Sequence, residues 1–159
     1  MGINYGKKFE VVIQSAFERT EGVSVTRLHD QTTGFKGSAN PCDFLVYHKP
    51  YLLPIECKSI HGNTFPLVNI TDFQWKSLLE MSLVKGVIAG VMVWFIDHDI
   101  TIFYTITALK TLKESEFKST KYSEELFGIV VPGKKKKVFF EYDMQAFLEE
   151  VENEYGTRS

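Results

Sequence analysis

The sequence predicts an α/β fold in which a mixed β-sheet is flanked by helices. Helical and strand-like segments follow one another in the order α-β-β-β-α-β-β, before a set of peripheral elements. Residues 87–96 form a near-continuous apolar run rich in β-branched side chains, which is typical of a strand buried on both faces. This order predicts a sheet between helical layers. With no linker or internal repeat, residues 1–159 predict a single domain.

The composition is that of a globular protein, since 44% of the residues are hydrophobic and 14% are aromatic. The two cysteines imply no disulfide framework and favour a reduced, cytoplasmic setting. The longest apolar run is about half of a membrane span and no signal peptide is visible, so we expect no membrane association. The net charge of −2 argues against simple nucleic-acid binding, although a local basic field can exist beside an acidic site.

The first predicted elements are a helix and a strand. Residues 6–19 carry apolar side chains at helical spacing, which predicts one buried helix face. These apolar positions are Phe9, Val12, Ile13, Ala16 and Phe17. Residues 23–28 alternate in polarity and predict a short strand. Residues 30–40 are rich in glycine, threonine and serine, which predicts a loop.

The next segment predicts a β-hairpin that carries charged side chains. Two apolar runs, residues 40–47 and 51–58, are separated by the turn His48-Lys49-Pro50. Side chains alternate across a strand, so Glu56 and Lys58 should share one face of the second strand.

Asp43 opens the first strand of this hairpin, where it can lie opposite Glu56. Two carboxylates and the Lys58 ammonium group would then converge, and charges in an apolar strand are costly to bury unless they are paired or metal-bound. Carboxylates hold a hard divalent cation, which lowers the pKa of a bound water, and a lysine can position that water. The pattern favours metal-assisted phosphodiester hydrolysis, although a Glu-x-Lys pair alone is far more often a surface ion pair.

The second half of the chain begins with a helix. Thr71 has the character of its N-cap, Gln74 completes a capping box, and the helix should run to about Lys85 before it is ended by Gly86. The segments that follow predict a buried strand at residues 87–96, a turn at 97–99, a strand at 101–106 and either a helix or a mixed segment at 108–119.

The end of the chain predicts a hairpin and a helix. Residues 127–131 and 138–142 would form the hairpin across the Pro132-Gly133 turn, which would also carry a lysine run. Asp143 should cap a terminal helix that reaches about residue 155.

Asp43, Glu56 and Lys58, with a proline two residues before the aspartate, resemble the active-site signature of the restriction-endonuclease-like superfamily. They would be its three catalytic residues. Residues 61–74, with their Phe-Pro-Leu, Asn and Gln, are similar to the segment that follows this strand in RecU-type Holliday-junction resolvases. Residues 4–10 resemble the opening helix of that family, with its Gly-x-x-x-Glu pattern.

The resemblance, which covers roughly residues 1–105, implies a restriction-endonuclease-like nuclease fold and a Mg²⁺ cofactor for which Mn²⁺ can substitute. The implied metal ligands are Asp43, Glu56, Gln74 through its carbonyl oxygen, and Glu10. The residues themselves leave two alternatives open. In the first alternative, Gln74 is the capping-box residue and does not contact metal. In the second, Glu10 is an ordinary solvated helix residue.

The implied function is a metal-dependent, structure-selective endonuclease that resolves four-way DNA junctions by paired phosphodiester hydrolysis. Two strands must be cut symmetrically, so we expect a homodimer. The compact form is similar to phage-type members, which act in the cytoplasm of a bacterial host. Two alternatives stay open: another endonuclease of the superfamily, of repair or restriction type, and a non-catalytic DNA-binding module that has kept the fold.

Two features depart from the RecU-type pattern. Cys42 stands where that family usually has a threonine that helps bind metal, and sulfur is a poorer ligand for magnesium. No histidine partner is evident for this cysteine, so we expect a small packing residue rather than a nucleophile. In addition, residues 23–40 leave little room for the long stalk with which those enzymes grip the junction.

Basic side chains provide candidate contacts to DNA phosphates. Arg27 and Lys36 flank the predicted loop before Asp43, where they are either a phosphate clamp or solvated loop residues. A run of four lysines near the end of the chain is either a backbone contact or a solvated turn. This run consists of Lys134, Lys135, Lys136 and Lys137.

Overall fold

The computed structural model describes residues 2–29, 39–123, 127–136 and 140–156. Four helices and ten strands lie in these ranges. In chain order they are α1 (Tyr5–Glu18), β1 (Val23–Arg27), β2 (Phe44–His48), β3 (Tyr51–Ile60), β4 (Thr64–Pro66), α2 (Asp72–Ser82), β5 (Gly90–Phe95), β6 (Ile100–Thr105), α3 (Ile106–Glu114), β7 (Ser119–Lys121), β8 (Ile129–Val130), β9 (Gly133–Lys135), β10 (Phe140–Tyr142) and α4 (Met144–Tyr155).

Six of the strands form one sheet in the order β1-β2-β3-β5-β6-β8. β3 and β5 run parallel, and the other neighbouring strands run antiparallel. The parallel pair is possible because α2 lies between β3 and β5 in the chain and carries it back across the sheet. The predicted mixed sheet is therefore confirmed.

Helices cover both faces of this sheet. On one face, α1 and α4 pack through residues such as Phe9, Phe17 and Phe147. On the other face, α2 and α3 pack through residues such as Leu78 and Leu109. Each helix contributes one apolar side to a buried cluster, as its sequence spacing predicts. In the described part of the chain, no helix combines the length and the apolar character that crossing a membrane requires.

β5 is covered by helices on both of its faces. Met92 belongs to the core of α1 and α4, while Val91 and Val93 belong to the core of α2 and α3. The apolar run of residues 87–96 is thus explained by burial on both faces, as predicted, although the strand itself begins only at Gly90. A Cβ atom at Gly90 would overlap the backbone oxygen of Tyr104, so this close strand pairing requires glycine.

The predicted helix starts agree with the structure. The Asn4 side chain accepts a hydrogen bond from Lys7 N at the start of α1, and the Asp143 side chain accepts one from Ala146 N at the start of α4. α2 begins with a complete capping box between Thr71 and Gln74. It ends at Ser82, three residues earlier than predicted, before the positive φ of Gly86.

The predicted late hairpin is wrong in its pairing. β8, within the predicted first strand, pairs instead with β6 at the edge of the large sheet. Pro132-Gly133 is not the hairpin turn, because Gly133 begins β9 and pairs with Tyr142 of β10. Lys134 and Lys135 consequently lie on a strand rather than in a turn.

A small second sheet was not predicted. β4 pairs antiparallel with β7, and Phe65 on β4 is fully buried. A 3₁₀ turn, Leu67–Asn69, follows β4 and leads to the N-cap of α2. The Phe-Pro-Leu segment therefore anchors the start of α2 against the large sheet.

Candidate active site

The candidate site is centred on Asp43 and Glu56, on the neighbouring strands β2 and β3. Asp43 lies directly before β2, and its backbone N–H donates to Ile55 O at 3.1 Å. Because Phe44 pairs with Ile55, the register continues to place Asp43 opposite Glu56. Cys57 N donates to Asp43 Oδ2 at 2.8 Å, and this hydrogen bond fixes the position of the Asp43 carboxylate. Glu56 is only 5% exposed.

Lys58 lies beside Glu56, as strand alternation predicts. Its Nζ is 3.3 Å from Glu56 Oε1. Ile55 and Cys57 point to the opposite face, into the core beneath α1. The strand thus separates an apolar face from a charged one within four successive residues.

Gln74 reaches the same carboxylate from α2. Its Nε2 donates to Glu56 Oε1 at 2.9 Å, while its Oε1 accepts the Thr71 N–H at 3.0 Å. The capping box fixes which end of the amide faces the site. The two interpretations of Gln74 are therefore joined in one geometry, in which its NH₂ group rather than its carbonyl faces Glu56. A role as a direct metal ligand stays a prediction.

Glu10 and Arg27 form an ion pair next to the site. Arg27 Nη2 donates to Glu10 Oε2 at 2.7 Å, between α1 and β1. The charge of Glu10 raises the pKa of Asp43 and the charge of Arg27 lowers it, so both belong to the electrostatic surroundings of the site. Sequence reasoning placed Glu10 at the metal and Arg27 on DNA separately. It missed their pairing, because residues 17 positions apart carry no local signal of contact.

Burial dominates the protonation of the two central carboxylates. Desolvation, followed by the charge of Asp43, raises the pKa of Glu56 well above the usual range of a glutamate. Desolvation also raises the pKa of Asp43, against the hydrogen bond from Cys57 N. The Lys58 ammonium group lowers both values without cancelling the effect of burial. Two such carboxyl groups ionise together only if further positive charge is supplied.

Cys42 is a packing residue beside this pair. It is 1% exposed, and its thiol donates to Phe44 O at 3.4 Å. Burial and the charges of Glu56 and Asp43 raise the pKa of the thiol. A thiol in this environment stays protonated and is a poor nucleophile, in agreement with the expectation from the sequence.

Of the predicted DNA contacts, Arg27 lies beside the site, in its ion pair with Glu10, whereas the described lysines of the late run lie on a different element. Lys134, Lys135 and Lys136 are exposed on or directly after β9. Lys135 pairs with Asp99, and Lys136 Nζ is 3.6 Å from Glu141 Oε2. The two other predicted DNA contacts, Lys36 and Lys137, lie outside the described residues.

The donor set of the site suits a hard divalent cation. In the described ranges, no three His, Cys, Asp or Glu side chains are arranged to enclose a metal ion. The site offers instead the buried carboxylate of Glu56 and the partly buried carboxylate of Asp43, and Mg²⁺ is commonly held by one or two carboxylates together with waters and substrate phosphates. Such an ion would neutralise the negative charge of Asp43 and Glu56. The residues therefore fit Mg²⁺ or Mn²⁺, which keep some water ligands, better than a metal ion whose ligands all come from the protein.

Comparison with known proteins supports the fold. No family model matches the chain, and no curated protein matches its sequence. Among solved structures, the chain is similar to Hjc, a Holliday junction resolvase from the archaeal hyperthermophile Archaeoglobus fulgidus. The TM-score is 0.51 at 18% sequence identity, over 80% of this chain and 94% of that chain. The chain therefore has the restriction-endonuclease-like nuclease fold, as the sequence predicted.

Proposed function

We propose that the chain is a metal-dependent, structure-selective DNA endonuclease that resolves four-way junctions by paired phosphodiester hydrolysis. One observation carries the proposal: Asp43, Glu56 and Lys58 converge on a buried, charged end of β3 within the restriction-endonuclease-like fold. Such a cluster would cost stability if it served only the fold, because a single ammonium group does not compensate for the desolvation of two carboxylates.

In this proposal Asp43 and Glu56 hold Mg²⁺ or Mn²⁺. The bound ion would supply Lewis-acid activation of a water and neutralise charge on the phosphate. Lys58 Nζ, already held against Glu56, positions the attacking water or stabilises the charge that develops on the phosphate oxygens. Gln74 orients Glu56 through its NH₂ group, and Glu10 adjusts the charge around Asp43.

The proposed substrate is branched DNA, and the proposed assembly is a homodimer. Two copies would present two equivalent sites to two strands of a junction. Phosphate contacts would come from basic side chains around the site and on the lysine strand. These are Arg27, Lys36, Lys134, Lys135, Lys136 and Lys137. We further propose a RecU-type, phage-encoded enzyme that forms one nuclease domain over residues 1–159 and works in the cytoplasm of a bacterial host.

Cleavage of a matched set of DNA substrates tests this function. Four-way junction, nicked, flap and linear duplex DNA of the same sequence would be incubated with the protein and Mg²⁺, with EDTA as the control. We expect symmetric paired cuts in the junction and little cutting of the linear duplex. Equal cutting of all substrates would favour a general endonuclease of the superfamily. Binding without any cutting would favour the DNA-binding module.

A further inference from the structure

A cavity of about 210 Å³ lies on the face of the sheet opposite Glu56 and Lys58. It is bounded by the first half of α1, the end of β5 and the β9–β10 hairpin. No step of the proposed hydrolysis uses this cavity. Its walls combine aromatic rings with lysines, which are side chains that suit a planar and negatively charged molecule.

The walls of the cavity are aromatic. Trp94 is the only partly exposed residue of β5, whose other residues are buried. Its ring centroid lies 5.8 Å from that of Tyr5 and 5.7 Å from that of Phe9. Across the cavity, Phe140 and Tyr142 pack with centroids 4.7 Å apart. Phe9 and Tyr142 are buried and pack against each other with centroids 6.5 Å apart. A planar aromatic group would therefore meet the partly exposed rings of Tyr5, Trp94 and Phe140.

The rim of the cavity is positively charged. Lys8, Lys135 and Lys136 stand around it, together with one acidic residue, Asp99. Asp99 pairs with Lys135 and Glu141 Oε2 lies 3.6 Å from Lys136 Nζ, whereas Lys8 makes no ion pair with any of the described residues. An excess of positive charge around an aromatic cavity fits a ligand that is both planar and anionic.

The cavity is adjacent to the proposed active site through α1 and β5. Phe9 lines the cavity, while the next residue of α1, Glu10, affects the pKa of Asp43. Trp94 pairs with Ser59, the residue after Lys58, across the β3–β5 ladder. A DNA strand that leaves the site around the N-terminus of α1 would therefore pass the mouth of the cavity.

We propose that this cavity binds an unpaired nucleobase of the DNA substrate. The base would stack on the face of Trp94, with Tyr5, whose ring is inclined at 62° to that of Trp94, against its edge, and the flanking phosphates would contact Lys8 and Lys136. The inference rests on the proposed function, because it takes DNA as the ligand and explains how a strand that is unpaired near a branch point is held. Stacking on aromatic side chains tolerates any base, so it selects for unpaired DNA rather than for a sequence.

Fluorescence of Trp94 tests the proposal directly. The chain has two tryptophans, and Trp75 is buried on the other face of the sheet, so Trp75→Phe leaves Trp94 as the only indole reporter. The protein would be titrated in EDTA with a short single-stranded oligonucleotide and with an abasic strand of equal length. We expect saturable quenching of Trp94 by the first strand and little by the second, although both bind through phosphates.

Matched variants assign the signal to the cavity. Tyr5→Ala removes one wall and should weaken binding of the normal strand at least about fivefold, with little effect on the abasic strand. Lys8→Gln should weaken binding of both strands. Lys110→Gln, an exposed lysine on α3, is the control and should change neither. If Trp75→Phe does not fold, 2-aminopurine in the oligonucleotide reports the same stacking with wild-type protein.

Three results would overturn the proposal. These are quenching that is equal with the abasic strand, unchanged Trp94 fluorescence while anisotropy reports a bound strand, and absence of any single-strand binding. All measurements are made in EDTA and require no cleavage. A protein that cuts junctions without base-dependent quenching would refute this inference alone, whereas base-dependent quenching without cleavage would refute the proposed function alone.

Discussion

At the scale of single residues, the site depends on two carboxyl groups that face each other on neighbouring strands, one buried (Glu56) and one partly buried (Asp43). Glu56 is held by Gln74 and Lys58, and Asp43 is held by Cys57 N. These contacts fix the positions of the oxygens but do not supply enough positive charge for both groups to ionise freely, so their pKa values are raised. The predictions for individual residues follow from this arrangement.

Lys58→Ala should lower the single-turnover rate of junction cleavage by about 10²–10⁴-fold, the range typical of a positioned proton-transfer group. Affinity for the junction should change little, because Lys58 is held 3.3 Å from Glu56 Oε1 and is one cation among the many phosphate contacts that the proposal assigns to other basic side chains. Lys110→Ala serves as the control. A variant that only binds more weakly, with an unchanged single-turnover rate, would contradict a catalytic role for Lys58.

The stability of the metal-free protein should fall as pH rises. Burial and Asp43 raise the pKa of Glu56 from 4.5 to about 8, so the folded state keeps a proton that the unfolded chain has lost over this range. The free energy of unfolding therefore decreases between about pH 4.5 and about pH 8. Chemical denaturation in EDTA at several pH values measures this slope.

Two comparisons make the pH prediction specific. Glu56→Gln cannot ionise, so its stability should depend less on pH and should exceed that of the wild type near pH 8. Added Mg²⁺ should stabilise the wild type most at the higher pH, because the carboxylates must be deprotonated to bind it. Identical pH profiles for wild type and Glu56→Gln would show that Glu56 does not titrate as inferred.

At the scale of elements, α2 connects helix capping to the active site. Gln74 closes the capping box with Thr71 and donates to Glu56 at the same time. The position of the helix N-terminus therefore determines the orientation of the Glu56 carboxylate, which is proposed to bind metal. The 3₁₀ turn and the β4–β7 sheet that precede α2 hold this N-terminus in place.

Two variants separate these roles of α2. Thr71→Ala and Gln74→Ala should each cost about 1 kcal/mol of stability through the lost cap. Only Gln74→Ala should also lower junction cleavage, by about 10–100-fold, as is typical when a group that orients a metal ligand is removed. Thermal unfolding and single-turnover cleavage are measured on both. Equal cleavage by the two variants would limit Gln74 to capping.

The elements that could be predicted from sequence are those with strong local signals. The spacing of Phe9 and Phe17, the capping box and the apolar run of β5 each reflect interactions within one element. The late hairpin could not be predicted correctly, because its pairing depends on distant partners. A glycine fits at position 133, at the start of β9, because the Phe140 ring occupies the space that a Cβ atom would need.

The candidate site also combines features that local sequence patterns predict with features that depend on contacts between distant residues. Strand alternation predicted that Glu56 and Lys58 share a face, and the hairpin register predicted that Asp43 lies opposite Glu56. The Glu10–Arg27 pair could not be predicted, because it requires α1 to pack beside β1. The orientation of the Gln74 amide also requires three-dimensional information about the capping box.

At the scale of the whole molecule, the net charge of −2 conceals a separation of charge. The acidic site lies at one end of β3, while exposed lysines lie on and after β9. The proposed junction substrate is large, and one copy would present it with a small basic surface. The proposed function therefore calls for a homodimer, in which two basic surfaces and two sites would act together.

Light scattering at micromolar concentration should therefore report the mass of a dimer. Affinity for the junction should fall steeply with salt, because each phosphate contact contributes about −0.9 to the slope of log K against log salt. Lys134→Gln should make this slope less negative, with Lys110→Gln as the control. A monomer that cuts linear duplex as readily as junctions would contradict the dimer model.

The most direct test of the account is Mg²⁺-dependent cleavage of a four-way junction by wild type, Asp43→Asn and Glu56→Gln under single-turnover conditions. We predict paired cuts by the wild type in Mg²⁺ or Mn²⁺, none in EDTA, and none by either variant, while circular dichroism and junction binding of the variants stay close to wild type. Cleavage at the wild-type rate by either variant, or cleavage that persists in EDTA, would contradict the assignment of these carboxylates as the metal site.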